Sequence, residues 1–131
     1  TKDYTIKLAR ILKELGINFN LAPVLDLDHG KNSFISKQER AIASDPRLII
    51  KHSRIYIDQM STYRILCCGK HFPGQGSATG DTHEGLVDIT KTWEKNELEP
   101  YKNLIKGAYD RNEKYIKRPS TRKRKPKKYL D

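Results

Sequence analysis

The sequence predicts an α/β chain of about two parallel βα units, followed by a basic C-terminal tail. Apolar patterns in residues 1–110 alternate in the order helix, strand, loop, helix, strand, loop, helix. This alternation is typical of parallel βα units. The net charge of +10 lies mostly in residues 111–131, where ten Lys and Arg face two acidic residues. The preceding part is nearly neutral, with 16 Lys and Arg against 14 Asp and Glu.

The first unit is predicted to start with a helix and to end in a strand. Apolar residues from Tyr4 to Leu15 recur at helical spacing, and Gly16 suits the helix C-cap. Residues 17–24 predict a strand with Pro23 near its end, where the loss of one backbone donor is tolerated. One face of this strand is expected to carry the large side chains of Ile17, Phe19 and Leu21.

The second unit has a clear helix start and a short apolar strand. Asp45 followed by Pro46 predicts an N-cap and a proline at the first helical position. Residues 65–68, Ile-Leu-Cys-Cys, favour a strand buried on both faces. Cys67 and Cys68 are therefore expected to be small buried hydrophobes, because a disulfide between neighbouring cysteines would be strained.

The remaining chain predicts one more helix and the tail. Residues 93–108 have a helical pattern that Pro100 interrupts, so we expect a kink or two short helices. The like-charge block at 122–128 should keep the tail, residues 111–131, disordered. A basic module that binds nucleic acid is an alternative, but aromatic residues are too sparse there to favour a specific nucleic-acid partner. No run approaches the ~20 apolar residues of a membrane span.

The most informative motif is residues 70–76, Lys-His-Phe-Pro-Gly-Gln-Gly, which directly follow the second strand. Lys70 and His71 offer polar nitrogens at a strand end, where parallel α/β folds bind ligands. Asp81 can orient the His83 ring and stabilise its protonated form, which suits proton transfer. A simple turn, with Asp81 capping backbone N–H groups and His83 solvated, is one alternative. A metal site formed by His71, Asp81 and His83 is another.

This motif closely resembles glycoside hydrolase family 3, in its β-N-acetylglucosaminidase (β-hexosaminidase) branch. The similarity runs from about residue 4 to residue 110 and includes residues 15–26, Leu-Gly-Ile-Asn-Phe-Asn-Leu-Ala-Pro-Val-Leu-Asp. It also includes residues 97–102, Glu-Leu-Glu-Pro-Tyr-Lys. The resemblance implies that residues 1–110 are an internal fragment of a TIM (β/α)8 barrel and contain its third and fourth strands.

The resemblance also implies roles for individual residues. Lys70 and His71 would bind hydroxyls of the sugar whose bond is cleaved, and Arg40 would bind the same sugar. His83 would be the general acid/base and Asp81 its partner, on a mobile glycine-containing loop. The implied reaction is retaining hydrolysis that removes terminal β-linked N-acetylglucosamine from a glycan, with no cofactor and no metal. A related glycoside phosphorylase is the alternative.

Two βα units cannot close a barrel, so unpaired strand edges and exposed apolar faces are expected. The aspartate nucleophile of the family follows a late strand, and no carboxylate here lies in matching context, so we expect no turnover by this chain alone. The jump in charge after Asp110, where a buried strand is due, leads to the hypothesis that residues 111–131 are frame-shifted. The chain begins at Thr1 rather than Met, and its localisation stays open.

Overall fold

The structure, a computed structural model, describes the backbone of residues 1–116 and the side chains of residues 1–108. Its helices and strands are, in chain order, α1 (Lys2–Glu14), β1 (Phe19–Asn20), α2 (Phe34–Lys37), α3 (Pro46–Thr62), β2 (Leu66–Cys67) and α4 (Glu99–Ile116). Two 3₁₀ turns, Gly30–Asn32 and Lys95–Leu98, lie in the loops. The predicted α/β order is confirmed, and the short helix α2 is an addition within the first long loop.

The two strands pair in parallel, as predicted. The paired residues are Phe19 with Leu66 and Asn20 with Cys67. A further parallel bridge joins Val24 to Lys70, four residues beyond the end of β1. The predicted strand over 17–24 is therefore a short ladder plus one bridge. Parallel pairing carries the ends of both strands to the same edge, which is where the polar residues follow.

Local signals in the sequence set the helix ends. Gly16 has a φ of +74°, and its N–H donates to the carbonyl of Lys13 while the N–H of Ile17 donates to the carbonyl of Leu12. These bonds form a Schellman cap, so the predicted C-cap is confirmed. Asp45 caps α3 by accepting the Arg47 backbone N–H at 2.9 Å. The N-cap prediction is confirmed as well.

The last α-helix begins six residues later than its apolar pattern predicts. The 3₁₀ turn Lys95–Leu98 precedes α4, and Pro100 lies in the first turn of α4, where a missing N–H breaks no helical bond. The helix continues to Ile116 and so includes residues 111–116, the first part of the predicted tail. The rest of the tail prediction concerns residues 117–131, which lie outside the described residues.

In the part of the chain that the structure describes, the core contains two apolar clusters, one near each end of α3. One cluster packs α1 against α3 and the start of β2; its buried members are Ala9, Met60 and Ile65. The other lies below the strand ends; its buried members are Leu25, Leu27, Ile49 and Tyr101. The second cluster supports the backbone that carries the polar residues described below.

The prediction that residues 65–68 are buried on both faces is wrong for this chain. Ile65 is buried, but Leu66 is 70% exposed, Cys68 is exposed and Cys67 is half-buried. Cys67 and Cys68 are free thiols, and burial raises the pKa of Cys67 to about 11. The physical reason for the exposure is that no described residue packs over the outer face of the strand pair. This agrees with the expected exposed apolar faces of an open sheet.

Within residues 1–116, no helix combines enough length with enough apolar character to cross a membrane.

Candidate active site

The five residues selected from the sequence lie around one cleft of about 350 Å³ at the ends of the strands. The side chains lining it are Phe34, Ile35, Arg40, Lys70, His71, Gln75, Asp81, Thr82 and His83. Lys70 and His71 enter from the end of β2, Arg40 from the loop after α2, and Asp81 and His83 from the loop after β2. The structure thus brings together residues that are up to 43 positions apart in the sequence.

Asp81 and His83 form a close pair at the open side of the cleft. The Asp81 Oδ1 atom lies 2.6 Å from His83 Nδ1 and accepts the His83 backbone N–H at 2.9 Å. These two hydrogen bonds, with the backbone bond first, lower the pKa of the Asp81 carboxyl from its ordinary value. The His83 side chain is 88% exposed. Asp81 therefore contacts the His83 ring, as the predicted dyad requires, and also caps a backbone N–H, as the alternative turn requires.

Arg40 and His71 meet in the same cleft. The Arg40 guanidinium Nη2 lies 3.4 Å from His71 Nε2. The backbone N–H of Arg40 donates to the carbonyl of Ile35, which holds the loop after α2 against the cleft. The cleft thus presents cationic donors from Lys70 and Arg40 beside an imidazole, a set that suits the hydroxyl oxygens of a polar ligand.

Asp26 is a residue whose role sequence reasoning missed. It follows β1 between two buried leucines, is fully buried, and accepts hydrogen bonds from the loop that follows β2. His71 Nδ1 lies 2.6 Å from its Oδ2 atom, and the Gln75 backbone N–H donates to its Oδ1 atom at 2.8 Å. The signal that could have found it is a carboxylate inside an apolar run at a strand end, since a buried charge needs partners.

Glu97 is the second buried carboxylate that the sequence did not single out. It is fully buried, its Oε1 atom lies 2.9 Å from His29 Nε2, and its Oε2 atom accepts the Gly76 backbone N–H at 3.4 Å. Glu97 comes from the 3₁₀ turn before α4, whereas His29 follows β1. These two contacts therefore connect the loop after β1, the loop after β2 and the 3₁₀ turn before α4.

Gly74 and Gly76 allow this close packing. A Cβ atom on Gly74, which has a φ of +122°, would lie 2.6 Å from the Glu97 Cβ atom. A Cβ atom on Gly76 would lie 2.4 Å from the backbone oxygen of Leu27. The absence of a side chain at both positions thus lets the loop pack closely against other parts of the protein.

A larger apolar groove of about 810 Å³ lies beside the cleft and shares none of the five residues with it. Its lining includes Phe72, Leu86, Val87 and Trp93. The smaller cleft is the candidate site because it holds the Lys70 and Arg40 donors beside the Asp81–His83 pair. Among the described residues, no three His, Cys, Asp or Glu side chains are grouped so that they could hold a metal ion. The alternative metal set of His71, Asp81 and His83 is therefore not assembled.

Comparison with known proteins gives one consistent family. Residues 1–111 match the model of the glycosyl hydrolase family 3 N-terminal domain. The β-hexosaminidase of Thiobacillus denitrificans is 40% identical over 82 residues, which are 63% of this chain and 21% of that protein. The β-hexosaminidase of Tolumonas auensis is 37% identical over 92 residues, which are 68% of this chain and 27% of that protein.

Solved structures show the same relationship. The β-N-acetylhexosaminidase from Beutenbergia cavernae matches with a TM-score of 0.70 and 26% identity, over 78% of this chain and 32% of that one. Native NagZ from Neisseria gonorrhoeae matches with a TM-score of 0.67 and 26% identity, over 81% of this chain and 32% of that one. The chain thus spans about a fifth to a third of the length of these relatives.

Proposed function

Since the chain belongs to family 3 of the glycoside hydrolases, we propose that it forms the sugar-binding strand ends and the acid/base loop of a retaining β-N-acetylhexosaminidase. The observation that carries this proposal is the convergence of Lys70, His71 and Arg40 with the Asp81–His83 pair around one cleft. In this proposal β1 and β2 are adjacent strands of a TIM-barrel-type domain. The substrate is a glycan with a terminal β-linked N-acetylglucosamine.

Substrate binding in this proposal rests on donors that the fold holds in place. Lys70 offers three N–H donors and Arg40 offers a planar set of donors, so both can bind oxygens of the sugar. Gln75 and Thr82 hydrogen-bond each other at 3.3 Å across the cleft lining. These polar groups would orient the sugar ring with its anomeric carbon near His83.

Proton transfer is assigned to His83. Because Asp81 occupies Nδ1, the Nε2 atom of His83 is left for the substrate, and the exposed ring can reach it. A protonated His83 donates its Nε2 proton to the glycosidic oxygen as the C1–O bond breaks and a carboxylate nucleophile bonds to C1. Neutral His83 then takes a proton from water as the water oxygen replaces that carboxylate.

The nucleophile of this double displacement is assigned to no residue of the chain. Asp26 and Glu97 are both fully buried and engaged with backbone N–H groups and histidines, so neither is free to attack an anomeric carbon. We therefore propose that the 131 residues alone have no turnover and that the remaining barrel supplies the carboxylate.

The test uses a chimera in which residues 1–108, which lie within the matched family 3 N-terminal domain, replace the corresponding segment of that domain in the Thiobacillus denitrificans β-hexosaminidase. We expect the chimera to release the chromophore from an aryl N-acetyl-β-glucosaminide. His83→Ala should lower its kcat by about 10²–10⁴-fold, the usual contribution of a general acid/base. His52→Ala is the matched control, because His52 lies on α3 outside the cleft and contacts Thr1.

Two results would contradict the proposal. A folded chimera without any turnover would remove the glycosidase assignment, and a normal kcat in His83→Ala would remove His83 from proton transfer. Turnover that requires inorganic phosphate and yields a glycosyl phosphate would instead identify the chain as part of a phosphorylase.

A further inference from the structure

The buried Asp26 carboxylate makes three hydrogen bonds, and all three go to the 70–76 loop. Its Oδ1 atom accepts the backbone N–H groups of Gln75 at 2.8 Å and of His71 at 3.3 Å. Its Oδ2 atom lies 2.6 Å from His71 Nδ1. One oxygen is thus bound to the backbone, and the other is aimed at the imidazole ring.

This arrangement decides which ring nitrogen of His71 carries the proton. Asp26 Oδ1 accepts two backbone N–H groups, and a carboxylate only accepts hydrogen bonds, so in this pair His71 Nδ1 is the donor. On the other side of the ring, the Arg40 guanidinium has donors only and lies 3.4 Å from Nε2. The Nε2 atom therefore carries the lone pair, which faces the cleft beside Arg40, and a ligand hydroxyl would displace the long Arg40 contact when it donates to Nε2.

We propose that Asp26 is a positioning residue that fixes His71 in the Nδ1–H tautomer and thereby makes its Nε2 atom a hydrogen-bond acceptor for a ligand hydroxyl. The identity of the ligand as a sugar rests on the proposed function, whereas the tautomer rests on Asp26, Arg40 and the loop alone. Lys70, next in the chain, has only donors. The adjacent pair would then bind both atoms of one ligand hydroxyl: Lys70 donates to its oxygen, and His71 Nε2 accepts its hydrogen.

The substitution Asp26→Asn should move the His71 ring proton from Nδ1 to Nε2 with little change in the shape of the side chain at position 26. The two backbone N–H groups select the amide oxygen at the Oδ1 position, so the amide NH₂ must occupy the Oδ2 position. It then donates to His71 Nδ1 and moves the ring proton to Nε2. A carboxylate-to-amide change beside a catalytic histidine is known to invert the tautomer in this way.

The direct test is ¹⁵N NMR of the 131-residue chain labelled at histidine, at neutral pH and without ligand. We expect the His71 ring signals to show a protonated Nδ1 and an unprotonated Nε2, and Asp26→Asn to exchange the two. Glu97→Gln is the matched control, because it neutralises the other fully buried carboxylate, which contacts His29 instead. The His71 tautomer should be unchanged in that variant.

The wild-type spectrum decides the tautomer even if Asp26→Asn does not fold. An Nε2–H tautomer, or a ring protonated on both nitrogens, would overturn the assignment. This measurement contains no sugar, so it can succeed or fail independently of the glycosidase proposal.

A titration with N-acetylglucosamine tests the second half of the proposal in the same chain. We expect a saturable shift of the His71 Nε2 signal, and an apparent Kd that is about tenfold weaker in Asp26→Asn, the usual effect of losing one hydrogen bond. An inverted tautomer with an unchanged Kd, or a wild-type Nε2 signal that N-acetylglucosamine does not move, would show that His71 does not read a hydroxyl.

Discussion

Replacing Gly76 with alanine tests the packing that holds the 70–76 loop over the two buried carboxylates. The added Cβ atom would lie 2.4 Å from the backbone oxygen of Leu27 and 2.9 Å from the Glu97 Oε1 atom. Ordinary contact with such a Cβ begins at 3.4 Å, so the loop would have to move by about 1 Å. Leu27 cannot yield easily, because it is buried in the core cluster below the strand ends.

The expected cost follows from these contacts. Overpacking of a well-packed site costs about 1–3 kcal/mol. A shift of that size also breaks the 3.4 Å hydrogen bond from the Gly76 N–H to Glu97, which adds about 1 kcal/mol. We therefore expect Gly76→Ala to lower the free energy of unfolding by about 2–4 kcal/mol.

Urea unfolding followed by far-UV circular dichroism measures this change, with Gly85→Ala as the control. Gly85 lies on the same long loop, but a Cβ atom there would meet no heavy atom within 4 Å. Gly85→Ala should therefore change the free energy of unfolding by no more than about 0.5 kcal/mol. Equal stabilities of the two variants, at an unchanged m-value, would refute the packing argument.

The remaining predictions concern titration and thiol reactivity. The hydrogen bonds from the His83 backbone and ring favour the ionised form of Asp81. NMR should therefore find the pKa of the Asp81 carboxyl below the ordinary aspartate value. The two hydrogen bonds should be lost only as the pH falls through that lowered pKa. Loss of the bonds already above the ordinary value would contradict the assignment, and His83→Ala should return the pKa towards it. A Cys67 pKa of about 11 leaves little thiolate at neutral pH. Iodoacetamide should therefore alkylate the exposed Cys68 before Cys67, and peptide mass spectrometry measures the order. Preferential labelling of Cys67 would show that its thiol is more accessible than that of Cys68, contrary to the structure.

Much of the fold was predictable because its signals are local. Gly16, Asp45 and Pro46 act on backbone groups within one helical turn of themselves, so their roles follow from sequence and are confirmed by the structure. Burial is not local. The apolar run at 65–68 reads as a strand covered on both faces, yet Leu66 is exposed, because burial depends on which elements pack beside the strand.

The candidate site divides in the same way. The order of residue types in 70–83 by itself selected Lys70, His71, Asp81 and His83, because donors and a proton-transfer pair after a strand are rare without a function. Asp26 and Glu97 were not selected, since a carboxylate reveals its role only through partners that lie 45 and 68 positions away. The sequence determined which groups are present. Only the tertiary structure decided which oxygen faces which nitrogen, because hydrogen bonds form between atoms within about 3 Å in space, whatever their separation along the chain.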